Sequence, residues 1–485
     1  MTESRVTVEA PTTPARALAG WAVVAVVLMG DLLDLLDSLV TTIAGPSIVR
    51  DLGGGDEFIQ WLAAGYTLAM AAGLLIGARL GDMFGRKRMF LVGIAGFTLA
   101  SLLAATAASP DMLIGVRIAQ GLLGAMMVPQ ALGLIKASFP PDKVGVAFGL
   151  TGPVLALGGV GGPIVAGWLV DADYFGWGWR MIFAINIPIG VAIIIAGAII
   201  LPPSTPDRRV GLDIGGALLA ALGMGAVVFG LVHGREYSWP WWIIAIIGGG
   251  FLALIVFAVT QAARERAGRS TLVTPSLFAK RAFLAGLGVG ALFFGAMLGS
   301  SLLFALFFQL GLGMTPLQAG LAAAPQAVGM IVGFVLSQVL GLSRRTMFIG
   351  FATVLAGFLT IILLTAALSG SLSAWPLLVP LGVVGIGMGM AIAPYFDIVL
   401  AGVDDQEVGS ASGSLTAVQQ LGNAVGVATL GTVYFTVLAH TVGDEAGYSH
   451  ALSTALGWSA GFVVAAALIT TLLPRKGREN AELQR

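Results

Sequence analysis

Three aspartates recur every three residues in the stretch GDLLDLLDSLV: Asp31, Asp34 and Asp37, inside an apolar run from about residue 18 to 44. A three-residue step falls about 60° short of a full helical turn, so their carboxylates share roughly a third of the helix circumference. Carboxylates grouped on one face can bind protons, hold a cation, or repel one another until one of them is protonated. The run is long enough to span a bilayer, where each charge on the lipid face would cost about 2.5 to 3.5 kcal/mol. The acidic face must therefore look into protein or water. Arg117, in LIGVRIAQGLLGA, is the one basic residue well inside an apolar segment. Arginine stays charged in almost any surroundings and so requires an anionic partner there. At 1.5 Å per residue it lies about 9 Å from the outer end of its segment, and Asp37 about 28 Å from the inner end of its own. Both fall in the outer half, so Arg117 is expected to neutralise Asp34 or Asp37.

The rest of the chain must position these groups within a membrane. Of 485 residues, 57% are hydrophobic and 10% charged, with a mean hydropathy of +0.94. Soluble domains carry about 25% charged residues. An all-α polytopic membrane protein is expected. Net charge is zero, which gives no basic excess for nucleic acid, and cysteine is absent, which removes thiol catalysis and cysteine metal sites. No HExxH and no GxxxxGK[ST] occurs, so neither an enzyme nor a nucleotide site is expected, and no cofactor or metal is called for. The three histidines, His233, His440 and His450, fall at outer helix ends and read as surface residues. The first apolar segment is too long for a cleaved signal peptide and reads as a retained helix.

Apolar segments long enough to span occur at 19–44, 58–78, 89–108, 111–136, 145–170 and 181–201, then 213–233 and 241–261, then 282–308, 317–341, 346–368, 375–400, 408–438 and 451–473. The plan is fourteen transmembrane helices as six, two and six. It gives a tail at 1–18, an N-terminal bundle at 19–201, a Pro- and Arg-containing linker at 202–212, two extra helices at 213–261, a second linker at 262–281, a C-terminal bundle at 282–473 and a tail at 474–485. Of the 25 Lys and Arg residues, only Arg50, Arg180 and Arg235 fall in odd-numbered loops. The positive-inside rule then puts both termini in the cytoplasm, and Trp177, Trp179, Trp239, Trp241, Trp242 and Trp375 form a belt at the outer ends.

Motifs now sharpen the reading. After the second segment comes GARLGDMFGRKRMF, with Leu80, Gly81, Asp82, Gly85, Arg86 and Lys87 at fixed spacing. It resembles the cytoplasmic signature loop of the major facilitator superfamily, with Ala78 and Met83 replacing a glycine and an arginine, and Arg79 and Arg88 close by. The resemblance implies a latch between the two bundles. Arg117, Gln120 and Gly121 are similar to the family's second motif. Gly158, Gly162, Pro163 and Gly167 in span 5 resemble its antiporter motif; glycines permit close helix approach, and proline lets the helix bend. GWRMIFAINIPIG and LDIGGALLAALG resemble the starts of spans 6 and 7 in 14-helix drug:proton antiporters.

The resemblance implies a monomeric, inner-membrane exporter of small lipophilic, often cationic compounds, working by alternating access with protons as the counter-substrate. Asp37 matches the family's span-1 acid most directly and ranks first for coupling, followed by Asp34 and Asp31. The inner Asp31 is the most desolvated, and the outer pair is tied to arginine. Asp397, in span 12, is an additional candidate near the cytoplasmic end. Export of a neutral or anionic metabolite, antibiotic or lipid, and a non-transporting sensor, are the alternatives.

Overall fold

The computed structural model describes residues 14–139, 151–204, 206, 211–368, 372–401, 403, 407–441 and 445–475. The outer parts of both tails, residues 145–150 of the fifth expected span, and most of the loop before the thirteenth lie outside the described residues. The long helices are α1 (Pro14–Leu52), α2 (Asp56–Phe84), α3 (Arg86–Ala105), α4 (Pro110–Ser138), α5 (Thr151–Ala172), α6 (Gly178–Ile200), α7 (Ile214–His233), α8 (Trp241–Arg266), α9 (Arg281–Leu306), α10 (Pro316–Leu340), α11 (Arg344–Ala367), α12 (Trp375–Leu400), α13 (Val408–Ala439) and α14 (Glu445–Thr470). No strand occurs among the described residues. Twelve of these helices are long and apolar enough to cross a membrane by length and composition. The other two are α1, which carries the three aspartates over 39 residues, and α5, with 22.

Local signals set the helix ends. Ser109 caps α4 by accepting from Met112 N at 3.2 Å, ahead of Pro110 at the first helical position. Thr315 and Gln318 form a reciprocal capping box at the start of α10, again with proline first. α2 stops at Gly85, whose φ of +93° only glycine adopts without strain, and α3 starts at the next residue. α9 closes on a widened π-helical turn, Phe307–Gly311.

Packing repeats between the two halves. In the first, α1 packs on α5 and α6, α2 on α4, and α3 on α4 and α6. In the second, α9 packs on α13 and α14, α10 on α12, and α11 on α12 and α14. Helix for helix, the second set repeats the first eight helices further along the chain. The halves meet along two equivalent seams, α2 with α13 and α5 with α10. The pair α7 and α8 packs against itself, and α7 leans on both α2 and α13. At the side away from the described chain ends, here the far side, the two halves are joined by polar contacts. Gln309 Nε2 donates to Ile43 O at 2.8 Å, Asp171 Oδ2 accepts from Leu317 N at 3.0 Å, and Thr432 Oγ1 donates to Gln60 Oε1 at 3.3 Å.

Candidate functional site

Arg117 is fully buried, and so is Asp37 at 2% exposure. The guanidinium ion-pairs with Asp37 Oδ2 through Nη1. It also donates to Gln120 Oε1 at 2.7 Å, Thr41 Oγ1 at 3.1 Å and Leu62 O at 3.3 Å. Four of its five N–H groups are thus used, and the ring of Tyr66 lies 4.2 Å from its central carbon, a cation–π contact. Asp37 Oδ1 in turn accepts from Asn186 Nδ2 at 2.7 Å and Gln120 Nε2 at 3.1 Å. Ser101 Oγ accepts from the same two amides at 3.3 and 2.9 Å. Five helices, α1, α2, α3, α4 and α6, therefore converge on one charge pair that has every heavy polar atom occupied. A buried pair persists in low dielectric only under such full satisfaction.

Asp34, one turn toward the chain ends, is buried and accepts a hydrogen bond from Tyr66 Oη. The same phenol thus caps one carboxylate and stacks on the arginine of the other. Asp31, a further turn along, is partly buried; its Oδ1 is inaccessible and has no hydrogen-bond partner. The three acids sit in series, from fully engaged, through singly hydrogen-bonded, to one with an unpartnered oxygen.

Tyr66, Thr41, Ser101 and Asn186 escaped the sequence reading. Each had a signal: a polar group in an otherwise apolar span must find a partner, and Asn186 stands alone as a carboxamide in FAINIPIG. What the sequence lacks is the angular relation between spans that sets which partner.

The span-5 motif faces two ways. Gly158 and Gly162 face Leu32, Leu35, Leu36 and Leu39 of α1, while Gly167 faces the other half. A Cβ on Gly167 would lie 2.4 Å from Pro316 O, and one on Gly320 at the same distance from Pro163 O. This stretch is where the α5–α10 seam brings backbones together.

In the signature loop, Asp82 pairs with Arg86 at 3.3 Å, and Arg86 lies over Gly133 of α4. Lys87 Nζ donates to Ala198 O at 2.8 Å and Leu201 O at 2.7 Å, at the C-terminal end of α6, where a cation complements the helix dipole. Gly81 packs on Gln130, Leu80 is half-buried, and Gly85 makes the turn. Among the described residues these contacts bind the loop to its own half. Arg79 Nη2 reaches outside it, to Thr271 O at 2.7 Å in the second linker. Asp397 is half-buried on α12, in the other half of the molecule from Arg117.

His233 departs from its surface assignment. Its side chain is 20% exposed, accepts from Trp61 Nε1 at 3.1 Å and contacts Glu236 at 2.7 Å, stacked beside Phe229. As the last residue of α7 it looked like an exposed helix end; α7 leaning on α2 covers it. No His, Cys, Asp and Glu grouping suited to a metal occurs among the described residues.

The model of the Major Facilitator Superfamily matches residues 27–215 and 208–427. A probable actinorhodin transporter of Streptomyces coelicolor (strain ATCC BAA-471 / A3(2) / M145) is 47% identical over 421 residues, 86% of this chain and 73% of that protein. A tetracenomycin C resistance and export protein of Streptomyces glaucescens is 31% identical over 441 residues, 89% and 79% of the two chains. Among solved structures, an auto-inhibited POT family peptide transporter superposes with a TM-score of 0.66 at 13% identity, covering 93% of this chain and 96% of that one, a likeness of fold. The chain therefore belongs to the Major Facilitator Superfamily and is a membrane transporter of its drug:proton antiporter type, not an enzyme.

Proposed function

We propose that this protein spans the cell membrane fourteen times with cytoplasmic termini and exports small lipophilic compounds, cations foremost, in exchange for protons. The observation that carries the reading is the graded engagement of Asp37, Asp34 and Asp31. Protonating Asp37 would sacrifice an ion pair and two amide hydrogen bonds, whereas protonating Asp31 Oδ1 sacrifices none. In this reading Asp37 with Arg117 is a fixed anchor, and Asp34 and Asp31 exchange protons with substrate. This reverses the order suggested by sequence, because position in a motif does not say whether an acid's lone pairs are already taken. With Arg117 neutralised by Asp37, Asp34 and Asp31 leave this face of α1 net negative when ionised, which favours a cation. The far-side closure fits a form open toward the cytoplasm, and the crowding of Lys and Arg on the chain-end side supports that orientation. The relatives named as exporters point the direction of transport outward.

Alternating access then runs as follows. Open to the outside, the acidic face takes up protons and releases the cation; open to the cytosol, a new cation displaces the protons inward. Everted vesicles with an acidified lumen test this. Adding a lipophilic cation should release protons from the lumen and restore the fluorescence of a pH dye, and Asp31→Asn should abolish that response. A response to neutral or anionic compounds alone would sink the cationic part, and no response across a broad panel would sink the whole.

A further inference from the structure

Two equivalent seams join the halves, but only one is covered. The α5–α10 seam carries nothing over it among the described residues, whereas α7 lies along the α2–α13 seam and touches both of its helices. The polar contacts of the α7–α8 pair run to both halves at both ends. At the far end, in the loop after α7, Arg235 Nη2 pairs with Asp56 Oδ2 in the first turn of α2 at 2.9 Å. Its Nη1 donates to Phe435 O of α13 at 3.3 Å, and its guanidinium carbon sits 5.6 Å from the Phe435 ring. Nearby, Thr432 of α13 donates to Leu231 O of α7 at 2.9 Å, and Trp61 of α2 donates to His233. At the opposite end, the linker after α8 takes the Arg79 hydrogen bond from α2 through Thr271 O. The same linker reaches α13 through Thr274 N to Ser410 Oγ at 3.2 Å and Lys280 Nζ to Glu407 at 2.9 Å.

We propose that the two extra helices are a clasp over the α2–α13 seam, and that Arg235 is its positioning residue, holding the far side shut by bridging Asp56 of one half to Phe435 of the other. The inference rests on the alternating-access reading, in which α2 and α13 part at the far side during each cycle. One guanidinium cannot keep Asp56 at 2.9 Å and Phe435 O at 3.3 Å while the two halves separate, so opening breaks one of the two contacts. Arginine suits this role because its planar fork spreads N–H groups over separate nitrogens toward two acceptors, whereas the donors of lysine share one nitrogen. The α5–α10 seam is held on the far side by the Asp171–Leu317 hydrogen bond and by close backbone packing, with no cation bridging it among the described residues, so the clasp makes the two seams unequal.

The experiment uses the full chain in lipid nanodiscs. Because the protein has no cysteine, paired spin labels go on cleanly at Ala108→Cys and Ser373→Cys, exposed far-side positions of the two halves. Pulsed electron paramagnetic resonance then reads far-side distances directly. Arg235→Gln should raise the ratio of the long-distance to the short-distance population by up to about fivefold, the weight of one partly screened ion pair. Asp56→Asn should do the same, and Arg235→Lys should restore part of the short population. Unchanged distributions in both Arg235→Gln and Asp56→Asn would overturn the clasp. The readout needs no substrate, so a shift in distances without any proton response in vesicles would retain the clasp and discard the export reading.

Discussion

Replacing Arg117 with methionine leaves Asp37 buried at 2% exposure with its Oδ2 bare. Breaking one partner out of a buried pair costs about 3 to 5 kcal/mol. Here the cost should fall near the lower figure. Oδ1 keeps its donors from Asn186 and Gln120, so only one oxygen of the carboxylate loses its partner. Asp37→Leu strands the guanidinium instead, with Thr41, Gln120 and Leu62 O still around it but no counter-charge, and should cost a similar amount. The double variant, Arg117→Met with Asp37→Leu, removes both charges, and apolar replacements of buried pairs are often close to neutral. It should therefore be more stable than either single variant, with a coupling energy of about 2 to 4 kcal/mol across the cycle. The ten tryptophans allow unfolding to be followed by intrinsic fluorescence in a denaturant titration in mild detergent. Costs that simply add across the cycle would refute the idea that the two groups hold each other. Transport should be lost in all three variants.

Asp31→Asn should leave stability unchanged or slightly raised, since its Oδ1 has no partner to lose, while the proposed proton exchange disappears; a large destabilisation by the same denaturant assay would contradict the unpartnered state of this oxygen. At the α5–α10 seam, Gly167→Val should block transport because its Cβ would meet Pro316 O at 2.4 Å, whereas Gly161→Ala, with nothing within 4 Å of its Cβ, should transport normally in the same vesicles. On the far surface, Arg180 at 2.5 Å and then Trp179 at 2.9 Å hold the Asp51 carboxyl below the usual carboxylate range. Its folded value is lowered, so the contribution is complete above the unfolded value near 3.9 and fades as pH falls through the lower folded one. With the Asp51 side chain 47% exposed, screening keeps the effect below about 1 kcal/mol. The stability gap between wild type and Asp51→Asn should therefore be small at pH 7 and shrink as pH falls below the ordinary carboxylate range.

Helix positions were legible because a membrane removes the usual ambiguity: a segment of some twenty apolar residues must satisfy its own backbone and so must be helical. The expected boundaries at 375–400 and 213–233 lie within a residue of the helices Trp375–Leu400 and Ile214–His233. Arg117 announced itself by cost, since a guanidinium in an apolar run demands a carboxylate. Tyr66 and Asn186 carried the same signal more faintly, and only the packing angles of α2 and α6 bring them to Asp34 and Asp37. The placement of α7 and α8 was the least legible feature. Their outer faces are uniformly apolar, and their anchoring rests on Arg235, Thr271 and Thr274, all in loops, where neither periodicity nor hydropathy speaks.

The two halves share one packing plan but not one chemistry. Equivalent helices meet in equivalent ways, yet the buried ion pair and the three acids lie in the first half. The second half meets it along the α2–α13 seam with neutral groups: Gln420 donates to Met70 Sδ at 3.0 Å and accepts from Asn423 at 2.9 Å. Carboxamide to thioether contacts are weak and readily exchanged, and methionine adapts to many shapes. In the proposed exchange, carrying a proton one way and a lipophilic molecule the other are two unlike tasks. Proton exchange demands fixed geometry, because moving a charge by an ångström changes its energy by kilocalories in low dielectric. Accommodating varied apolar molecules demands the reverse, a wall that deforms at low cost. The repeated packing gives two scaffolds of the same shape; five helices of the first are tied to one arginine, while the second meets the seam with neutral groups. On this argument, Gln420→Leu should alter which compounds are exported without altering the proton response to those that remain.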